Sequence, residues 1–174
     1  GLAEHTVFVC SGGTQRIVLS KLELERDGIV ILRDASDHSG GSSRLIGCGF
    51  PSHQGVDVRI VNLEKMIEVV EDTVGEIWIR SPSKAAGYYN MPEETRLDFH
   101  GQLKGVNTGD DGYLRTGDLG FIHKQELFIC GRLKDLIIVG GRNYYPQDIE
   151  GTAEASSESL RPGCSAAFTI DLNQ

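Results

Sequence analysis

"DGYLRTGDLG" (residues 111–120), followed closely by "GRLKDLIIVGGRNYYPQDIE" (131–150), decides how the rest of this 174-residue chain is read. An apolar–polar run breaks at Thr116-Gly117-Asp118, resumes, and ends at Gly131-Arg132. The pattern predicts an antiparallel meander, "GYLRTGDLGFIH" and "QELFICGR", with turns at Thr116-Gly117-Asp118 and His123-Lys124. Glycine takes positive φ without a steric penalty and aspartate ties down a backbone amide, so such a turn needs no functional reason. A second reading stands beside it, in which Asp118 and Arg132 face one ligand from adjacent turns. An ionised carboxylate only accepts hydrogen bonds and can span two vicinal ribose hydroxyls, while a guanidinium fork suits a phosphate or ribose oxygen.

Working outward, "TVFVC" (6–10) and "IVIL" (29–32) read as short strands. Between them "SKLELERDG" predicts a helix, with Ser20 and Glu23 as a capping box and Gly28 as its stop. Residues 33–44 form a polar Gly/Ser-rich loop. "VDVRIV" (56–61) alternates, with Val56, Val58 and Ile60 on one face, and "VGEIWIR" (74–80) does the same with Ile77 and Ile79. Trp78, lying between them, reads as packing or as an amphipathic lid. "MPEETRLDF" predicts a helix with Pro92 in its first turn. After it come a buried strand "LIIVGG", a helix "YPQDIEGTAEAS" and a strand "CSAAFTI" (164–170). The fold class is therefore mixed α/β. An antiparallel, β-barrel-like part spans residues 1–133, and the start of a small α+β domain spans 134–174, where hairpin texture gives way to strand–helix–strand alternation.

Composition narrows the function classes. A net charge of -8, with 39% hydrophobic and 24% charged residues, is ordinary for a soluble globular chain and argues against a nucleic-acid surface. With no apolar run of about 18 residues and no signal-peptide pattern, the expectation is a cytoplasmic protein without a membrane span. Cys10, Cys48, Cys130 and Cys164 are scattered and read as buried, reduced thiols, and neither they nor the five histidines show metal-ligand spacing. "SGGT" and "VGGR" are glycine pairs without the Walker spacing, and no G-x-S-x-G or H-E-x-x-H occurs.

Four blocks then fall into order: "GLAEHT", "VGEIWIRSPSKAAGYYNMPEET", "GYLRTGDLG" and "GRLKDLIIVGGRNYYPQDIE". In sequence and spacing the chain resembles the acyl-adenylate-forming enzymes over nearly its whole length, and within them the fatty acyl-AMP ligases. The resemblance implies the C-terminal part of a large AMP-binding domain, and a parent enzyme that adenylates a fatty acid with ATP and Mg²⁺. The acyl group would pass to an acyl carrier protein, often on a polyketide or nonribosomal peptide synthase module. An acyl-CoA synthetase and a non-catalytic adenylation-like domain remain the alternatives.

By the same resemblance, Glu4 stands near Mg²⁺ and the triphosphate, and Gly1, Leu2 and Ala3 line the adenine and acyl-phosphate side. Asp118 grips the ribose, Arg132 follows it onto the nucleotide, and Ile129 packs beside the nucleoside. Lys134 marks the hinge of the small domain and Gly141 the loop that its rotation brings in. Residues 14–46 look like the insertion that braces the two domains in fatty acyl-AMP ligases. His5 stands where many relatives have a small residue, which raises the question of an added phosphate contact. The family's phosphate loop and adenylating lysine have no counterpart here, so the segment by itself is expected to be inactive.

Overall fold

The computed structural model describes residues 1–109 and 111–170. The first β-branched run is not a strand. Thr6 and Val7 take φ of 48° and 73°, and the Leu2 and Val7 backbones bond each other in both directions (2.8 and 2.9 Å), folding Gly1–Val7 into a closed turn. A β-branched residue at positive φ is strained, and such strain persists only where the surroundings hold it.

Strand β1 (Arg16–Ser20) runs straight into helix α1 (Lys21–Asp27), and the chain returns as β2 (Ser42–Ile46), antiparallel to β1 with Arg16 opposite Ile46. Gly28 ends α1 as its sequence predicts, with φ 65° and its N–H donating to the Leu24 carbonyl. The predicted capping box does not form. Ser20 is fully buried, and its Oγ accepts from Arg33 Nη2 (3.0 Å) instead of capping the helix. "IVIL" makes only isolated bridges, Ile29 to Thr73 and Leu32 to Leu19, the second on the edge of β1 that β2 leaves free.

The main sheet comes next. It comprises β3 (Asp57–Asn62), β4 (Ile67–Glu68), β5 (Gly75–Arg80), β6 (Leu114–His123) and β7 (Glu126–Arg132), all antiparallel in the order β4-β3-β5-β6-β7. Helix α2 (Pro92–Phe99), opened by its proline, joins β5 to β6. Alternation buries both faces. Val56, Ile60, Ile77, Ile79 and Leu127 pack together on one, while Val61, Trp78, Leu103 and Tyr113 pack on the other. Trp78 is wholly inaccessible, so it is core and not a lid. The far end of the β6–β7 hairpin stacks Phe121 on Phe128 (5.2 Å) against Leu19, Leu24, Val30 and Tyr145. Residues 48–49 bond Leu127 in both directions (2.7 and 2.9 Å), so the chain leaving β2 covers the β7 edge.

Two predicted turns move. The hairpin turn is Lys124-Gln125, both at positive φ, closing a two-residue loop between paired His123 and Glu126. Thr116-Gly117-Asp118 is not a turn at all but a bulge within continuous β6.

Beyond β7 comes a single helical turn, Leu133–Asp135, then a hairpin of β8 (Ile137–Val139) and β9 (Arg142–Tyr144), and helix α3 (Pro146–Ala155). Gly140 and Gly141, φ 58° and 78°, form the hairpin's two-residue loop. The expected buried strand is exposed, with Ile138 and Val139 63% and 61% accessible. Its partner is β9, which the sequence reading did not assign. "CSAAFTI" is irregular rather than a strand. Glu154 accepts from the N–H groups of Gly163, Cys164 and Ser165, and Glu150 from that of Ala167, so carboxylates on α3 hold this segment instead of a ladder. Strand–helix–strand is thus hairpin then helix. The four cysteines are unpaired; Cys10, Cys48 and Cys130 are partly buried, but Cys164 is exposed, against the expectation of burial.

Candidate functional site

Strands β5 and β6 pair regularly at Glu76–Leu119 and again at Trp78–Arg115. Between those pairs Ile77 alone faces Thr116, Gly117 and Asp118. A bulge bends its strand and re-aims a side chain, and Gly117 supplies the positive φ (70°) this one needs. Thr116 Oγ donates to the Ile77 carbonyl (2.7 Å) and accepts from the Asp118 N–H (3.1 Å). On the other side β7 pairs Arg132 directly with Asp118, Nε to Oδ1 3.3 Å. The two residues therefore meet across neighbouring strands rather than from adjacent turns.

One cleft of about 630 Å³ is lined by Gly1–Glu4, Tyr88, Thr116–Asp118 and Arg132–Lys134. It gathers Gly1, Leu2, Ala3, Glu4, Asp118, Arg132 and Lys134 from segments far apart in sequence. Ile129 lines an adjoining pocket of about 300 Å³ that shares Gly1, Leu2, Thr116 and Asp118. Gly141, at the tip of the β8–β9 hairpin, lines neither. His5 turns away from the cleft. It is buried, its Nδ1 bonds the Phe8 carbonyl (2.5 Å), and its Nε2 meets Ser81 Oγ (2.6 Å). A carbonyl can only accept, so Nδ1 carries the proton, and the ring fastens the Glu4 turn to the loop after β5.

That loop brings in a residue the sequence reading missed. Tyr88 Oη donates to Glu4 Oε1 (3.0 Å). Burial and the Glu4 carboxylate push the Tyr88 hydroxyl up to about 12, so it stays a donor across the physiological range. In "GYYN" nothing local distinguishes Tyr88 from Tyr89, which is 91% exposed. The Asp118 carboxyl sits above its ordinary value because half-burial penalises its charge. Arg132 opposes that shift and Glu4 adds to it. An acceptor-only carboxylate beside a guanidinium, with a second carboxylate across the cleft, suits a ligand carrying a diol and an anionic group.

No protein-family model matches the chain. Among curated proteins it is 43% identical over 176 residues to the medium-chain fatty acid–acyl carrier protein ligase JamA of Moorena producens, covering 99% of this chain. It is 35% identical over 185 residues to the long-chain fatty acid–AMP ligase FadD32 of Mycolicibacterium smegmatis. The chain spans about 29% of the length of these relatives. A solved structure from work on the fatty acyl-adenylate ligases of E. coli and L. pneumophila matches 97% of this chain and 29% of its own, at TM-score 0.77 and 31% identity. A fatty acyl-adenylate ligase of L. pneumophila, solved with acyl adenylate and pyrophosphate, matches 98% of this chain and 29% of its own, at TM-score 0.68 and 42% identity. The four ordered blocks, the antiparallel fold and these likenesses agree: over nearly its whole length the chain is similar to one part of the fatty acyl-AMP ligases among acyl-adenylate-forming enzymes.

Proposed function

We propose that this chain supplies the nucleotide-gripping part of an enzyme that joins a fatty acid to AMP, releasing pyrophosphate, and hands the acyl group to an acyl carrier protein on a polyketide or nonribosomal peptide module. The observation that carries this reading is the Asp118–Arg132 pair, opposed across β6 and β7 in one cleft with Glu4 and Lys134. A fatty carboxylate attacking the α-phosphorus needs in-line positioning and charge neutralisation more than a covalent nucleophile. Asp118 accepts from the two ribose hydroxyls, Arg132 donates to ribose or phosphate oxygens, Ile129 packs on the nucleoside, and Gly1–Ala3 line the base and acyl-phosphate side.

Glu4 fits a Mg²⁺-nucleotide site, since Tyr88 occupies only Oε1 and Mg²⁺ commonly takes one or two protein carboxylates beside substrate phosphates. Bound with ATP, that ion would offset charge on the phosphates. Residues 1–133 belong to the large domain and 134–174 to the small one, Lys134 being the hinge and Gly141 part of the loop that rotation carries to the cleft. Among the described residues no helix is long and apolar enough to cross a membrane, and we place the enzyme in the cytoplasm.

The decisive experiment is fatty-acid-dependent ATP–pyrophosphate exchange by the enzyme carrying this chain, followed by product analysis with acyl carrier protein or coenzyme A as acceptor. Exchange with transfer to the carrier is expected. No exchange at any chain length would support a binding module instead, and thioester formed preferentially on coenzyme A would make it an acyl-CoA synthetase.

A pH dependence arises from Asp118. Its raised folded pKa keeps the carboxyl neutral to a higher pH than an ordinary carboxylate, near 4. The ribose acceptor is complete only above that pKa, so AMP affinity falls as pH drops through it, at a higher pH than an ordinary aspartate would give. The stability sign is opposite: the contribution is fully present below the unfolded pKa and lost as pH rises through the folded one. Asp118→Asn should therefore remove the acidic limb of AMP affinity and raise Tm relative to wild type at neutral pH. An acidic limb of affinity that is the same in wild type and Asp118→Asn, measured by titration calorimetry, would sink this.

A further inference from the structure

We propose that Glu76 is a positioning residue that sets the aim of Asp118 by anchoring the β6 bulge. The proposal rests on the nucleotide reading of the cleft. Glu76 is 2% exposed, an unusual place for a carboxylate on an otherwise apolar strand. Its Oε1 accepts from the Gly117 N–H (3.0 Å), while Oε2 accepts from Trp78 Nε1 (2.7 Å) and Arg115 Nε (3.3 Å). The Arg115 guanidinium also lies over the Trp78 ring, 5.6 Å from its centroid.

The bulge explains why a carboxylate stands there. With Ile77 alone opposite Thr116–Asp118, ladder pairing lapses and the Gly117 N–H needs a partner from outside it. An unpaired buried N–H costs about 1–3 kcal/mol, and Glu76 reaches across from the neighbouring strand to accept it. All three neighbours of the carboxylate are donors. A glutamine has one amide oxygen, which Trp78 and the Arg115 cation together hold against the single Gly117 N–H; its NH₂ then faces Gly117, so the charged form alone satisfies both sides. Thr116 completes the brace by tying the Ile77 carbonyl to the Asp118 N–H. Glu76 is not among the residues lining the cleft that holds Asp118; it lines a smaller pocket of about 220 Å³ beside it with Glu4, Tyr88, Thr116 and Gly117, and its three hydrogen bonds go to the bulge, Trp78 and Arg115.

The test compares wild type, Glu76→Gln and Trp78→Phe in the enzyme carrying this chain, reading hydrogen exchange at the Gly117 amide, Kd for AMP, and Tm. Trp78→Phe removes the other neutral donor to Glu76 and disturbs the same core without touching the bulge. In Glu76→Gln the Gly117 amide should lose protection and Kd should rise about tenfold, the scale of one hydrogen bond to a charged acceptor. Trp78→Phe should lower Tm yet leave both readings within about twofold of wild type. A Gly117 amide still protected in Glu76→Gln, or an equal rise in Kd in Trp78→Phe, overturns the positioning role. Should Glu76→Gln fail to fold, Glu76→Asp keeps the charge but retracts it from Gly117 and is read the same way. If wild type binds no AMP while Glu76→Gln still frees the Gly117 amide, the anchor stands and the nucleotide reading falls.

Discussion

Asp118→Ala is expected to reduce fatty-acid-dependent ATP–pyrophosphate exchange by about 10²- to 10³-fold, with little change in Tm. Each hydrogen bond to a charged acceptor contributes about 1.5–3 kcal/mol. Losing two from a ribose removes about 3–6 kcal/mol, and a half-buried carboxylate that water can reach takes the lower part of that range, two to three decades in affinity. Stability should hardly change. The Arg132 guanidinium is 57% exposed and stays hydrated without its partner, so the ion pair at 3.3 Å adds at most about 1 kcal/mol. Half-burial already works against the Asp118 charge. Loss of activity in a fold of unchanged stability would separate ligand contact from architecture. Exchange within tenfold of wild type would remove Asp118 from the proposed ribose clamp.

The same residue shows where sequence legibility ends. A glycine at positive φ between a threonine and an aspartate satisfies both a turn and a bulge, and only the partner strand distinguishes them. Here Ile77 faces three residues at once, a relation that no local window contains. Signals carried by one residue's own chemistry were read correctly: Gly28 stops α1, and Pro92 opens α2. The alternation of β3 and β5 likewise named their core faces. The errors arose where neighbours decide. "TVFVC" has every β-propensity, yet the reciprocal Leu2–Val7 bonds bend it into a turn. "CSAAFTI" has strand composition, yet α3 carboxylates take its amides. For the site, ordered blocks located Asp118, Arg132 and Glu4, which the structure brings to one cleft. Tyr88 and Glu76 had no legible signal, because each is defined by what it touches across the sheet.

A Glu25→Ala change should cost about 2–3 kcal/mol and loosen the hairpin and helix beyond residue 134. Glu25 lies on α1 at 2% exposure, and Arg142 on β9 donates Nη2 to its Oε2 at 2.8 Å. Lys21, one turn back, reaches Glu25 (3.8 Å) and Asp148 on α3 (3.2 Å). These pairs join the 14–46 segment to the β8–β9 hairpin and α3, beside the apolar cluster that holds Leu19, Leu24 and Tyr145. Removing one partner of a buried pair typically costs about 3–5 kcal/mol; the Arg142 side chain is 38% exposed and can recover water, so the cost lies at or just below the bottom of that range. A double-mutant cycle with Arg142→Ala should return a coupling of about 1 kcal/mol or more, measured by chemical denaturation. The resemblance of residues 14–46 to an insertion that braces the two domains adds a second consequence if that brace restrains the small domain. With coenzyme A supplied, the Glu25→Ala enzyme should form more acyl-CoA than wild type, because the restraint on rotation about Lys134 is weakened. A lowered stability with no gain in thioester would leave Glu25 and Arg142 as stabilising contacts only, and the brace would have to be abandoned.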